Sequence, residues 1–281
     1  MRICRTKDEI RDYLGFVREQ SQSVGLVPTM GALHRGHESL IRASAAENDV
    51  TVVSIFVNPT QFGPNEDFTK YPRQLEEDSL LCEKAGADAI FAPEPAEMYP
   101  PDFSTFVEET SLSRPLCGVS RPTHFRGVTT VVAKLLNIVE PDRAYFGRKD
   151  AQQALVVKRM VRDLDIPVEI VVVPIVRESD GLAISSRNKY LPADQSEEAV
   201  ILSRALKAAE KTFSMGQRSA AVLADLVRKT IGTAPHARID YVEVVDAESL
   251  QPVGEITRPA LLAIAVFIGE TRLIDNTVLS P

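Results

Sequence analysis

The stretch VGLVPTMGALHRGHESL, residues 24–40, joins an apolar run to a glycine-containing turn and then to an amphipathic segment. Residues 24–28 are apolar at consecutive positions, which is typical of a strand buried on both faces of a parallel sheet. Residues 38–47 predict a helix. The stretch therefore predicts a strand–turn–helix unit, from which α/β proteins are built.

The same alternation continues through the first 180 residues. Short runs rich in Val, Ile and Phe predict further buried strands, at 50–57, 88–92, 142–146 and 168–174. Amphipathic segments between them predict helices, at 74–85, 128–139 and 151–164. Strand–helix alternation of this kind indicates an α/β fold with a doubly wound parallel sheet.

The pattern changes after Ile175. A polar segment containing the turn dipeptide Asp180-Gly181 comes first. Two long amphipathic helices and two strands are then predicted, at 192–213, 219–231, 241–245 and 260–268. We therefore predict two domains, 1–177 and a smaller C-terminal α+β domain at 178–281.

Composition excludes several classes of protein. The 281 residues carry a net charge of −7, which disfavours sequence-independent nucleic-acid binding because that needs a surplus of Lys and Arg. No stretch of 18 apolar residues is present, and the charged N-terminus has no apolar core of a signal peptide, so a cytoplasmic location without membrane contact is expected. Cys4, Cys82 and Cys117 are widely spaced, which indicates neither a disulfide framework nor a zinc site.

Residues 27–37 form the first candidate site. Gly31 and Gly36 allow a tight turn and a close approach to a ligand. The helix that follows presents backbone N–H groups and a positive dipole end, which suit phosphate. His34 and His37 are three residues apart and can share one face of the first helical turn, beside a triphosphate.

This segment also allows other interpretations. The spacing of Gly31 and Gly36 imitates a Walker loop, but His37-Glu38 replaces the Lys-Ser/Thr pair, so that interpretation is rejected. A zinc site at His34 and His37 stays open, although no third ligand is nearby in the sequence. An ordinary glycine-rich turn with surface histidines also stays open.

Three more polar segments follow predicted strands or the domain junction. Asn58 and Gln61 are neutral amides suited to hydroxyls and a carboxylate, although the segment taken alone favours an ordinary Asn-Pro turn. Lys149 suits phosphate, Asp150 suits a helix N-cap or a magnesium-side acceptor, and Gln153 lies one helical turn later; a plain helix start is the alternative.

The last segment, residues 185–188, combines two hydroxyls, a guanidinium and an amide, and so predicts an anion clamp or a polar linker. Open α/β sheets bind ligands beyond the carboxyl ends of their strands. The shared placement of the candidate segments therefore predicts a nucleotide-phosphate site without identifying the substrate.

The motifs themselves resemble those of a known family. His34-Arg35-Gly36-His37 resembles the HxGH motif of nucleotidyltransferases and class I aminoacyl-tRNA synthetases. The complete set resembles the pantothenate synthetases (pantoate–β-alanine ligases), with PTMGALHxGH at 28–37, FVNPxQF at 56–62, YPR at 71–73, HFRGV at 124–128, KDxQQ at 149–153 and SSRN at 185–188.

The resemblance implies an ATP-dependent ligase that condenses (R)-pantoate with β-alanine through a pantoyl-adenylate, with Mg²⁺, and releases AMP and pyrophosphate. It implies a Rossmann-like fold with a smaller C-terminal domain, usually in a homodimer. The implied catalytic residues are His37 as proton donor, His34, Lys149, Ser186 and Arg187.

The implied ATP site is larger and comprises Met30, Gly31, Ala32, Leu33, His34, Arg35, Gly36, His37, Gly147, Arg148, Lys149, Asp150, Val176, Ile184, Ser185, Ser186 and Arg187. Gln61, Gln153 and Asn58 are the implied residues for pantoate and β-alanine, and the metal ligands stay undetermined. The chain departs from the family pattern at Ile184, where Met is common, and at Arg148, where Glu or Gln is usual.

Two rival functions share some of these residues. A nucleotidyltransferase that adenylates a small phosphate ester would use His34 and His37 but would not need the segment from Asn58 to Gln61. A non-catalytic ATP sensor would bind nucleotide without turnover. Production of AMP that depends on both pantoate and β-alanine separates all three.

Overall fold

The computed structural model describes residues 1–64 and 66–281 and divides into two compact units. The first unit comprises Met1–Ser113, Arg121–Arg148 and Gln152–Pro174. The second comprises Arg114–Ser120, Lys149–Ala151 and Ile175–Pro281.

The first unit contains a parallel six-stranded sheet. Its strands are β1 (Arg2–Cys4), β2 (Val24–Thr29), β3 (Val50–Ile55), β4 (Ala89–Phe91), β5 (Arg143–Gly147) and β6 (Glu169–Val173). The long helices that alternate with them are α1 (Lys7–Glu19), α2 (Arg35–Glu47), α3 (Leu75–Ala85), α4 (His124–Val139) and α5 (Ala151–Asp163). The doubly wound α/β fold is therefore confirmed.

The strand order in this sheet is β1-β4-β3-β2-β5-β6, with every neighbouring pair parallel. The chain runs outward in one direction from β2 through β3 and β4, and in the other from β5 to β6. The order thus reverses between β2 and β5. Such a reversal opens a crevice at the carboxyl ends of the two strands, where α/β proteins bind ligands.

Both faces of this sheet are buried at its centre. Leu26 and Val52 pack into one apolar cluster and Val27 and Val53 into another, and all four side chains are fully buried. Because successive side chains of a strand point to opposite faces, a strand covered on both sides is apolar at consecutive positions. This is the pattern that predicts the parallel sheet.

The second unit contains an antiparallel sheet of three strands, in the order β7 (Ala237–Asp246), β8 (Ala260–Ile268) and β9 (Thr271–Leu279). Its longer helices are α6 (Ala193–Ala199), α7 (Ile201–Ser214) and α8 (Ala220–Ile231). Apolar side chains of α7, α8 and β8 form its core. The predicted small α+β part is present.

Several predicted elements need correction. The helix predicted at 192–213 is two helices separated at Val200, and the helix predicted from 128 begins at His124 because Gly127 and polar residues conceal its first turn. The sequence prediction missed α1 and the strands β1 and β9. Strand β9 was missed because its buried Asp275 is polar and is matched by an ion pair with Arg177.

Among the residues described, no helix has both the length and the apolar character needed to cross a membrane.

Candidate active site

The turn after β2 has a shape that glycine makes possible. Gly31 and Ala32 both adopt positive φ, at 79° and 50°. A Cβ atom on Gly31 would lie 2.9 Å from a carboxylate oxygen of Asp78, so a larger residue would not fit without a shift. The side-chain hydroxyl of Thr29 donates to the carbonyl of Ser54 at 2.7 Å and ties the turn to β3.

Asp78 lies at the start of α3 and fixes the turn after β2. Its carboxylate accepts the backbone N–H groups of Ala32 at 2.9 Å and Leu33 at 2.8 Å. Burial raises the pKa of Asp78, and the two backbone hydrogen bonds oppose that rise. An acidic residue at a helix start is usually solvated, so nothing in the sequence pattern singled out Asp78.

His34 and His37 lie at the start of α2. His34 is the N-cap, and its Nδ1 atom accepts the backbone N–H of Gly36 at 3.1 Å. An accepting Nδ1 carries no proton, so the proton of the neutral ring is on Nε2. The two imidazole rings stack with centroids 4.1 Å apart, which places both histidines on one face as predicted. The helix N-terminus and the adjacent imidazoles make a suitable place for an anion.

A zinc site at these histidines finds no support in the described residues. Across 1–64 and 66–281, no group of three His, Cys, Asp or Glu side chains is arranged to hold a metal ion. Structural zinc sites need four ligands and catalytic ones three from the protein.

Asn58 and Gln61 lie just beyond β3. Asn58 caps a short 3₁₀ helix, Pro59–Gln61, so the turn considered as the alternative is present. Its amide nitrogen donates to Gln61 Oε1 at 3.0 Å, and Gln61 Nε2 in turn donates to the sulfur of Met30 at 3.1 Å. The structure thus brings Gln61 against Met30, the residue that follows β2.

Helix α4 packs closely against this 3₁₀ helix. Asn58 Nδ2 also donates to the carbonyl of Gly127 at 3.1 Å, and Nδ1 of His124 lies 3.0 Å from the carbonyl of Gln61. Arg121 reaches the same carbonyl at 3.4 Å while its guanidinium pairs with Glu66. The backbone of Gln61 is therefore fixed from the α4 side.

Strand β5 ends at Gly147, and the residues after it are those for which contacts with phosphate and the acid are predicted. Gln153 is half-buried in the first turn of α5, whereas its neighbour Gln152 is buried and donates to the carbonyl of Leu112 at 2.9 Å. Gln152 therefore has a structural role, and Gln153 is the more accessible of the two amides.

Lys149 and Asp150 belong to the second unit. Their side chains form an ion pair at 3.4 Å, with the Asp150 carboxylate 44% exposed. The backbone carbonyl of Lys149 accepts from Asn276 Nδ2 at 2.9 Å, which anchors this short segment to β9.

The remaining predicted residues lie on a turn and a 3₁₀ helix of the second unit. Ile184 N–H donates to the carbonyl of Val176 at 3.1 Å across the turn at Asp180 and Gly181. Ser185 caps the 3₁₀ helix Ser186–Tyr190 by accepting from the N–H of Arg187. Arg177 fixes the turn to β9 with a two-pronged ion pair to Asp275, at 2.7 and 3.0 Å.

Comparison with known proteins identifies the family of the chain. The family model described as pantoate-beta-alanine ligase matches residues 2–278. The chain belongs to the pantoate–β-alanine ligase family. A relative named pantothenate synthetase from Thermotoga neapolitana is 56% identical over 279 residues, covering 99% of this chain and 100% of the relative. One from Enterococcus faecalis is 55% identical over 276 residues, covering 98% of each.

Solved structures of the family match over the whole chain. A pantothenate synthetase from Thermus thermophilus superposes with a TM-score of 0.95 at 47% identity and 100% coverage of both chains. A pantoate-beta-alanine ligase from Francisella tularensis, complexed with beta-gamma ATP and beta-alanine, has a TM-score of 0.81 at 35% identity and covers 99% of this chain and 97% of that one.

Proposed function

We propose that the chain is an ATP-dependent ligase that condenses (R)-pantoate with β-alanine and releases AMP and pyrophosphate. The observation that carries the proposal is the match to the ligase family over residues 2–278, at identities above half to named pantothenate synthetases. The Francisella ligase, complexed with beta-gamma ATP and beta-alanine, supports ATP as a substrate.

The reaction has two steps. A carboxylate oxygen of pantoate attacks the α-phosphorus of ATP, and the bond from that phosphorus to the pyrophosphate oxygen breaks. The amine of β-alanine then attacks the acyl carbon of the pantoyl-adenylate; the bond to AMP breaks and the nitrogen loses a proton. A carboxylate alone is a poor electrophile, so amide-bond formation depends on the first step.

The turn after β2 suits the first step. Backbone N–H groups at the start of α2 and the stacked pair His34 and His37 face developing phosphate charge with preorganised donors. We propose His37 as the proton donor, His34 as its partner, and Met30 to Leu33 as the nucleotide-binding turn together with Arg35 and Gly36.

The acid requires a different environment. Gln61 and Gln153 are neutral amides, which can hold hydroxyls and a carboxylate without a salt bridge that would weaken the carboxylate as a nucleophile. We propose both as pantoate ligands, with Gln61 also beside the β-alanine site. The contact between Gln61 Nε2 and Met30 Sδ supports this assignment, because it aims the Gln61 amide at the end of β2.

We propose phosphate contacts for Lys149, Ser186 and Arg187, and further nucleotide contacts for Gly147, Arg148, Asp150, Val176, Ile184 and Ser185. We also propose two domains: residues 1–177 bind ATP and pantoate, and residues 178–281 form a smaller lid domain. The family resemblance also supports a homodimer that works in the cytoplasm.

We propose that a Mg²⁺ ion arrives on the triphosphate. Mg²⁺ in such sites takes one or two carboxylates together with phosphate oxygens and water. Asp150 is a half-exposed carboxylate in a segment assigned to phosphate, and it is the residue we propose for the ion. When bound, the ion neutralises charge on the phosphate oxygens.

The test is product analysis with purified enzyme, ATP, pantoate and β-alanine. We expect AMP, pyrophosphate and pantothenate in equal amounts, and no AMP when either pantoate or β-alanine is omitted under multiple turnover. Nucleotide transfer to a phosphate ester without any amide product would instead establish the nucleotidyltransferase alternative. Binding of ATP without any product would establish the sensor alternative.

A further inference from the structure

The amide of Asn58 has an orientation that the backbone around it dictates. The side chain is 1% exposed. On one side lies the carbonyl of Gly127, 3.1 Å away, which can only accept a hydrogen bond. On the other lies the backbone N–H of Thr60, 3.4 Å away, which can only donate. The nitrogen of Asn58 must therefore face Gly127 and its oxygen must face Thr60.

The orientation of the Asn58 amide determines the orientation of the Gln61 amide. The second N–H of Asn58 Nδ2 points at the Gln61 amide, 3.0 Å away, and only the oxygen of that amide can accept it. The nitrogen of Gln61 is consequently at the outer end, against the sulfur of Met30. Gln61 thus offers hydrogen-bond donors, rather than an acceptor, towards the turn after β2. Donors are what a carboxylate needs.

Tyr99 also hydrogen-bonds to Asn58. Its hydroxyl donates to Asn58 Oδ1 at 2.8 Å, and the Thr60 hydroxyl donates to the same oxygen at 3.0 Å. The Tyr99 ring is held by an edge-on contact with Phe103, at a centroid distance of 4.9 Å. Burial raises the pKa of Tyr99, so its hydroxyl remains a proton donor throughout the neutral range.

We infer that Tyr99 is a positioning residue for acid recognition: its hydroxyl holds the Asn58 amide in the orientation that Gly127 and Thr60 set, and so keeps the N–H donors of Gln61 facing the carboxylate of the acid. The inference rests on the proposed function. Asn58 then acts through Gln61, because both ends of its amide are engaged by the protein. Tyr99 lies outside every sequence motif that predicts the site.

The first variant is Tyr99→Phe, which removes the hydroxyl and keeps the ring. We expect the KM for pantoate to rise about threefold to tenfold, the effect of weakening one neutral hydrogen bond. The KM for ATP and the kcat at saturating pantoate should stay within about twofold of wild type.

Tyr145→Phe is the matched control. Tyr145 is fully buried, and its hydroxyl donates to Glu47 at 2.8 Å and accepts from Asn48 at 2.7 Å, two partners that it does not share with Tyr99. We expect a loss of thermal stability at least as large as that of Tyr99→Phe, with an unchanged KM for pantoate. An equal rise in this KM in both variants would make the effect one of general destabilisation and overturn the inference.

The decisive experiment repeats Tyr99→Phe in a Gln61→Ala background. If Tyr99 acts through Gln61, the further change in pantoate KM should shrink to less than about twofold, because the amide to be oriented is gone. The same fold-change in both backgrounds, or no change in either, would overturn the inference. Wild-type enzyme that makes no pantothenate would instead refute the proposed function, so the two failures are distinguishable.

Discussion

Single side chains fix the shape of the turn after β2. One of them is Asp78, which belongs to helix α3. Its carboxylate accepts both the Ala32 and the Leu33 backbone N–H groups in a buried position. Loss of this acceptor would force a rearrangement next to the positive-φ residues Gly31 and Ala32. The proposed nucleotide-binding turn therefore depends on a residue outside the segments proposed to contact the nucleotide.

We expect Asp78→Ala to raise the KM for ATP by about tenfold or more, because two buried N–H groups lose their acceptor at about 1–3 kcal/mol each. Asp78→Asn keeps one acceptor oxygen and should fall between Ala and wild type. Steady-state kinetics with varied ATP make the measurement. Glu77→Ala, at an exposed position of the same helical turn, is the control. An ATP KM that is unchanged in Asp78→Ala would contradict this role for the carboxylate.

Some residues of the candidate site belong to local sequence patterns, whereas others contact residues that are distant in the sequence. Gly31, His34 and His37 could be predicted because the turn and the helix start are local patterns. Asp78 and Tyr99 could not, because their contacts with Ala32 and Asn58 span 46 and 41 positions. A single sequence carries no local signal for such pairings.

At the scale of elements, the contact between α4 and the 3₁₀ helix Pro59–Gln61 is backbone against backbone. A Cβ atom on Gly127 would lie 2.4 Å from the carbonyl oxygen of Thr60, a distance that real Cβ atoms do not reach. Gly127 weakens α4 as a helix residue, but it lets α4 approach closely enough for its carbonyl to accept from Asn58. Close approach explains the glycine in the motif at 124–128.

We expect Gly127→Ala to destabilise the protein by about 1–3 kcal/mol and to raise the KM for pantoate, because the added methyl group pushes the two elements apart. Gly15→Ala in α1 is the matched control, since a Cβ atom there meets nothing within 4 Å. It should stabilise the protein by about 0.5–1 kcal/mol, the usual gain in a helix interior. Denaturant unfolding and pantoate kinetics measure both effects, and a stabilised Gly127→Ala variant would refute the close-packing argument.

The second unit contains a pH-sensitive contact between α6 and the start of β7. His236 Nδ1 lies 2.8 Å from a Glu198 oxygen, and the His236 backbone N–H donates to the other oxygen at 3.1 Å. This hydrogen bond, followed by the charge of Glu198, raises the pKa of His236. The stabilisation is therefore complete below the ordinary histidine pKa of about 6.5 and is lost as pH rises through the higher folded-state value.

We expect the difference in thermal midpoint between wild type and His236→Gln to be larger at about pH 6 than at about pH 9. Glu198→Gln should remove the same pH dependence, since it leaves the imidazolium without its counter-charge. Both side chains are partly exposed, so the effect should be small and reduced by salt. A difference that grows with rising pH would have the wrong sign for this contact.

Elements with strong apolar patterns were predicted, whereas several with weaker patterns were missed. Strands β2 to β5 are largely buried, so their apolar composition alone predicts them. Strand β1 has three residues, two of them exposed, and β9 contains polar residues whose burial depends on ion pairs and hydrogen bonds formed elsewhere in the unit. Such strands are defined by their partners, which a hydrophobicity pattern does not record.

At the scale of the whole molecule, the fold explains why the sequence pattern groups polar segments that lie far apart in the chain. The strand order reverses between β2 and β5, and the segments from Met30 and from Gly147 both follow the carboxyl ends of these strands. Topology of this kind predicts where a ligand binds but not which ligand. The acid and the amine were identified by resemblance to the family, which matches nearly the full chain.

The central claim is that the acid becomes activated by ATP before the amine takes part. Exchange of labelled pyrophosphate into ATP tests it most directly, because exchange requires reversible formation of an acyl-adenylate. We expect exchange with ATP, Mg²⁺ and pantoate in the absence of β-alanine, and none when pantoate is omitted. Exchange that begins only after β-alanine is added would contradict activation of the acid in a separate first step.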